Sequence, residues 1–142
     1  MNPEHENTYV LFPLGETRFA VPAEMVTELA RPDTLQTFPH RTPMMAGVLL
    51  RRGRIIPVFD VAKILIGPGA PPGRFYLIAR CQVASRLEWT AIPVTGECEL
   101  ASMKRMRPSE KQPPYVSGVL QAGDQTVPVV DLEKLLSLEA QQ

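Results

Sequence analysis

The 142-residue chain holds few side chains capable of covalent chemistry: two histidines, two cysteines and fifteen acidic residues. A general base needs a proton within hydrogen-bond reach, and a metal needs converging ligands. His5 lies near the N-terminus and His40 in the loop Phe38-Pro39-His40-Arg41-Thr42-Pro43, and neither has Cys, Asp or Glu partners at metal or triad spacing. Cys81 and Cys98 lack a metal-ligand spacing. Gly67-Pro68-Gly69 has prolines where a phosphate loop would need backbone donors. Asp60 and Asp131 could form a symmetric carboxylate pair, but each precedes apolar residues at i, i+3, i+4 spacing, which favours helix capping.

Two basic clusters remain, Arg51/Arg52/Arg54 and Lys104/Arg105/Arg107. A surface for single-stranded nucleic acid would interleave aromatic platforms with its charge, and neither cluster contains an aromatic residue. A protein-contact site or a solvated edge that resists unwanted strand pairing is the better reading. No metal or other cofactor is expected, and no catalytic constellation.

The elements that carry these residues come from a repeat. Residues 47 to 65 align without a gap against 118 to 136, with eight identities in nineteen positions: Gly47/Gly118, Val48/Val119, Leu49/Leu120, Pro57/Pro128, Val58/Val129, Asp60/Asp131, Lys63/Lys134 and Leu65/Leu136. Ordinary composition would give about one or two. The offset of 71 is half the chain length, which predicts two pseudo-equivalent lobes. Each copy reads as strand, tight turn, strand, helix, with Gly47, Pro57 and Asp60 and their counterparts Gly118, Pro128 and Asp131 in structural roles.

Along the rest of the chain, Thr8 to Leu14 and Arg18 to Val21 form a first hairpin, Pro22 to Met25 a single helical turn and Val26 to Ala30 a strand. The Gly- and Pro-rich segment 67–73 is read as the linker between a first lobe, about 15–66 with parts of the termini, and a second, about 74–138. Strands are expected at Phe75 to Arg80 and Trp89 to Val94, then at Glu97 to Met103, with a Pro-rich loop from Met106 to Pro114. Fifteen prolines argue against long helices. Zero net charge provides no global field to attract a polyanion, and no apolar run reaches the length of a membrane span. The N-terminus lacks a signal-peptide core, so a soluble protein of a reducing, cytoplasmic compartment is expected.

The two copies differ at one loop tip. Gly123-Asp124 is an ordinary turn pair, whereas the other copy places Arg52-Gly53 there. An asymmetric side chain on a shared scaffold is the better functional candidate.

At these residues the chain resembles the CheW-like domain family of bacterial chemosensory arrays. The resemblance rests on Phe19-Ala20-Val21-Pro22, Val26-Thr27-Glu28-Leu29, Phe38-Pro39, Gly47 through Asp60 with its Arg52-Gly53 turn, and Gly118 through Leu136. It spans about residues 8 to 138 and implies a single mainly β domain of two five-stranded β-barrel lobes with short helices. Two departures stand out: Leu50-Arg51 where the family usually has Asn-Leu, and Ile92-Pro93-Val94-Thr95-Gly96 where it has Val-Asp-x-Val.

The resemblance implies a non-catalytic adaptor that couples methyl-accepting chemoreceptor tips to the regulatory domain of a CheA-type histidine kinase, in a chemotaxis or pilus-motility system. It puts Val26, Glu28 and Leu29 on the partner-facing strand, with Arg51, Arg52 and Gly53 at the hairpin beside them, Arg52 orienting Glu28. The receptor groove would be lined by apolar residues of both lobes. The alternative is a β-barrel that binds single-stranded nucleic acid, for which neutral charge and sparse aromatics argue poorly.

Overall fold

Alternating apolar residues and two-residue turns generate ten strands: β1 (Asn7–Leu14), β2 (Thr17–Pro22), β3 (Val26–Ala30), β4 (Met45–Arg51), β5 (Arg54–Phe59), β6 (Phe75–Val83), β7 (Arg86–Val94), β8 (Glu99–Met103), β9 (Val116–Ala122) and β10 (Gln125–Val130). Two helices, α1 (Ala62–Leu65) and α2 (Leu132–Ala140), follow β5 and β10, and a 3-10 turn covers Ala23–Met25. The structure is a computed structural model, and it describes residues 6–31, 44–83 and 85–140. The expectations for His5 and for Phe38-Pro39-His40 lie outside the described residues.

The strands form two five-stranded sheets, sheet A in the order β8-β1-β2-β10-β9 and sheet B in the order β3-β6-β7-β5-β4. Each sheet takes strands from both halves of the chain. Segment 67–73 therefore does not join the two sheets, because β5 before it and β6 after it both belong to sheet B. Local pattern fixes the hairpins, but which sheet a hairpin joins is decided by pairings such as β1 with β8, some 90 residues apart in sequence.

The repeat is a repeat of register. Gly47, Val48, Leu49, Leu50 and Arg51 pair with Val58, Pro57, Ile56, Ile55 and Arg54, and adding 71 to every number gives the β9–β10 pairing. The irregularity between Met45 and Gly47 recurs between Val116 and Gly118. The parallel contact Val58 with Ala91 recurs as Val129 with Ala20. Both prolines, Pro57 and Pro128, stand next to that single parallel pair, where a missing N–H interrupts little ladder. At Gly118 an added Cβ would run into the Arg105 side chain and the Met106 carbonyl, so the close crossing of segment 105–106 requires glycine.

The main core lies between the sheets. Val10, Phe12, Phe19 and Val21 from sheet A meet Leu77, Ala79, Ile92 and Val94 from sheet B, with Val61, Ala62, Leu132, Leu135 and Leu136 of the helical segments closing the cluster. Truncating one of its fully buried members, such as Phe12 or Leu77, to Ala is expected to cost about 2–5 kcal/mol. Each sheet also encloses a small core of its own, Tyr9, Leu11, Ala20, Leu120, Val127 and Val129 in one and Ala30, Leu49, Ile56, Val58, Ile78 and Ala91 in the other.

The two aspartates part company. Asp131 Oδ1 accepts the Lys134 N–H at 3.1 Å, the expected N-cap of α2. Before α1 the cap position falls on Val61, in helical conformation and without a side-chain cap bond, and it is the Asp60 backbone carbonyl that accepts from Lys63. A helix of four residues starts one residue later than the repeat implies, and Asp60 is not its side-chain cap.

Candidate functional site

The conserved geometry of β4 and β5 sets the hairpin that carries the basic cluster. Arg51 is the last residue of β4 and shares its face with Leu49, which is buried inside sheet B, so the Arg51 side chain turns inward over the end of the sheet. There it meets Glu28 of β3: Arg51 Nε lies 2.9 Å from Oε1 and Nη2 3.0 Å from Oε2, a two-point contact between guanidinium and carboxylate. β3 and β4 are the two edges of sheet B, so this pair clasps the edges and rolls the sheet toward closure.

Arg52 is beside Glu28 as expected, but Arg51 is the stronger partner. Arg52 Nε reaches Glu28 Oε1 only at 3.5 Å and its side chain is 74% exposed, while Arg51 is partly buried. The Arg51 hydrogen bonds are the main reason that the Glu28 carboxyl is held below its ordinary range; burial opposes them, and the Arg51 and Arg52 charges add to them. The backbone explains the division of labour. Arg52 and Gly53 are the two turn residues, with φ of 51° and 75°, and an arginine at positive φ is strained where a glycine would not be.

Glu28 also borders a second feature. Val26, Thr27, Glu28 and Leu29 of β3 face Cys98, Glu99 and Leu100 at the start of β8 across a cleft floored by Val10 and Leu77, with a volume of about 220 Å³. Leu29 and Leu100 are exposed on its lips, Leu100 at 72%. The cleft takes apolar residues from both sheets. Sequence reasoning missed the β8 members although a signal was present: Glu28-Leu29-Ala30 recurs as Glu99-Leu100-Ala101 at the same offset of 71. The groove is therefore bounded by two copies of one strand.

The outward face of the β4–β5 hairpin is the third feature. Leu50 and Ile55 pair across the strands and are 55% and 68% exposed. The same two places in the β9–β10 hairpin hold Gln121 and Thr126, joined by a 3.2 Å hydrogen bond between Thr126 Oγ1 and Gln121 Oε1. One hairpin is built for water and the other exposes an apolar pair beside an arginine turn.

Among the described residues, no group of three His, Cys, Asp or Glu side chains is placed to hold a metal ion. Among the described residues no helix is long and apolar enough to cross a membrane. Cys81 is buried and its thiol is pushed up to about 12, chiefly by burial and then by the Glu133 and Asp131 charges. Cys98, partly buried in the groove wall, is pushed up to about 11 by burial.

Doubled hairpins, two five-stranded sheets and an arginine turn beside an acidic edge strand define a mainly β domain built from a repeated unit. The chain belongs to the CheW-like domain family, whose family model matches twice, at residues 8–87 and 78–142. It is 23% identical over 133 residues to a probable chemotaxis protein CheW of Rhizobium etli, covering 90% of this chain and 86% of that protein. It is 35% identical over 63 residues to protein FrzA of Myxococcus xanthus, covering 44% of this chain and 38% of FrzA. Its fold is similar to the crystal structure of the scaffolding protein TtCheW from Thermoanaerobacter tengcongensis, with a TM-score of 0.77, 20% identity and coverage of 92% and 87% of the two chains. These relatives lend no support to the nucleic-acid alternative.

Proposed function

We propose that the chain is a non-catalytic adaptor of the cytoplasm that couples methyl-accepting chemoreceptors to a CheA-type histidine kinase in a chemosensory system controlling chemotaxis or pilus-based motility. The observation that carries this reading is the pairing of two distinct apolar surfaces on one scaffold. The groove between β3 and β8, with Leu29 and Leu100 on its lips, suits the apolar face of a helix, which is how a receptor tip would enter it. Leu50 and Ile55 on the β4–β5 hairpin, next to Arg52, suit the flatter surface of the kinase regulatory domain. A specific contact of about 1,000 Å² needs such an apolar centre with a charged rim.

The test is a pair of binding titrations with separate variants. Leu100→Asp is expected to weaken receptor binding at least tenfold and leave kinase binding unchanged, and Ile55→Glu to do the reverse. If both variants bind both partners as the unaltered protein does, the two-surface reading is wrong.

A further inference from the structure

The open end of sheet B carries one side chain from each of its five strands on the inward face: Glu28, Arg51, Arg54, Arg80 and Trp89. Each stands two residues beyond a member of the enclosed core, Ala30, Leu49, Ile56, Ile78 or Ala91. The repeat supplies an internal comparison, because the matching ring in sheet A is Glu99, Ala122, Gln125, Pro13 and Arg18. In sheet A a single guanidinium closes the ring: Arg18 bonds Glu99 with Nη1 and Gln125 Oε1 with Nη2, the latter at 2.9 Å. One cation answers one carboxylate.

Sheet B is different at the same places. Trp89 stands where Arg18 does, Arg51 and Glu28 clasp the two edge strands, and the ring holds three guanidiniums and one carboxylate. Arg51 is committed to Glu28. Arg54 and Arg80 lie against Trp89, with Cζ 4.5 and 5.2 Å from the ring centre. Stacking occupies the flat face of a guanidinium and leaves its in-plane N–H donors directed elsewhere. Arg52 adds a fourth cation at the turn. Glu28, Arg51, Arg52 and Arg54, together with Thr27 and Ile56, line a cavity of about 220 Å³ whose wall includes the Trp89 ring, while Arg80 stacks on that ring outside the lining. The aromatic that the basic cluster lacks in sequence is brought to it in space.

We infer that this opening binds the phosphoryl group of a small phosphate monoester. A lone carboxylate is satisfied by one two-point guanidinium, as Glu28 already is by Arg51. What remains at the cavity are the guanidiniums of Arg52 and Arg54, which match a dianion with three acceptor oxygens. The volume admits a phosphate with a short organic group and falls below the roughly 300 Å³ at which sites for larger ligands begin. The chain is neutral overall, so the attraction is local to this opening.

Trp89 is the chain's one tryptophan, so its emission reports on the opening. Inorganic phosphate and glycerol 3-phosphate, titrated into the full chain at constant ionic strength, are expected to change that emission saturably and at least tenfold more tightly than acetate. Arg54→Gln is expected to weaken both at least tenfold, while Arg18→Gln at the other ring leaves them unchanged. Arg52→Gln, on an exposed turn and safe for folding, is expected to weaken them about threefold and serves if Arg54→Gln does not fold. A response that never saturates, or acetate binding as tightly as phosphate, overturns the assignment. So does binding of a phosphoserine peptide with none of either small phosphate, which would make the site a protein-docking one.

Discussion

Glu28 and Glu99 occupy the same place in the two sheets, 71 residues apart, one opposite Ile78 on β6 and the other opposite Leu11 on β1. Each is held by an arginine, but from different strands: Arg51 at the end of β4 for Glu28, and Arg18 on β2 for Glu99. The scaffold keeps a carboxylate on each outer strand and leaves the position of its cation free. That freedom lets one sheet end be bridged from its middle strand and the other be clasped between its two edges.

The Glu28 carboxyl is expected to titrate below the ordinary carboxylate range in a side-chain NMR titration. Arg51→Gln should return it most of the way, and Arg52→Gln should move it less, following the order of the hydrogen bonds. Because the folded-state value is lowered, the stabilisation is present above the unfolded value of about 4.3 and is lost as pH falls through the folded one. Equal effects of the two substitutions would contradict the assignment of Arg51 as the main partner.

Arg52→Gly is expected to leave the fold as stable or to stabilise it by up to about 2 kcal/mol. Relief of a strained positive φ is worth about 1–2 kcal/mol, and the exposed contact with Glu28 contributes only about 0–1 kcal/mol. Urea denaturation measures this. Weaker kinase binding by the same variant would show an arginine kept at a cost in stability.

Asp131→Ala should cost about 1 kcal/mol through loss of the α2 cap. Asp60→Ala should cost clearly less, since the backbone carbonyl that serves α1 survives the change. The comparison is made by thermal or urea unfolding of the two variants side by side.

Neither cysteine should react quickly with iodoacetamide in the native protein at pH 8, because thiols raised to about 12 and about 11 are almost wholly protonated there. Raised folded-state values also mean that their contribution to stability is present below the unfolded value of about 8.5 and is lost as pH rises through the folded values. Rapid native-state labelling of Cys81 would contradict its burial.

Much of this architecture was legible. The identities between 47–65 and 118–136 fall on strand and helix positions and on the aspartate between them, and the register they imply is the one formed. The matching of β1 with β6 was hidden, because the β6–β7 hairpin is two residue pairs longer and shifts the offset there from 71 to 67, as the pairs Tyr9 with Pro22 and Tyr76 with Pro93 show. Arg51 was readable from alternation, since Leu49 and Arg51 share a face and Arg52 falls in the turn. The contact of Trp89 with Arg54 was not readable, because it depends on β5 meeting β7 in parallel, a pairing that no local pattern announces.

The nesting of sheet B between the two parts of sheet A sets an order of assembly. Sheet B is drawn from one continuous stretch, Val26 to Val94, whereas sheet A needs β1 and β2 from the beginning of the chain and β8, β9 and β10 from its end. On a ribosome, sheet B can close while the last third is still unmade, leaving β1 and β2 to wait with their apolar faces uncovered. Loop-closure entropy delays the β1–β8 pairing in refolding for the same reason. Pulsed hydrogen exchange should therefore find β6 and β7 protected before β1 and β8. A chaperone would find its foothold on the first hairpin, and truncation after β7 should leave sheet B folded beside a β1–β2 hairpin without its neighbours β8 and β10.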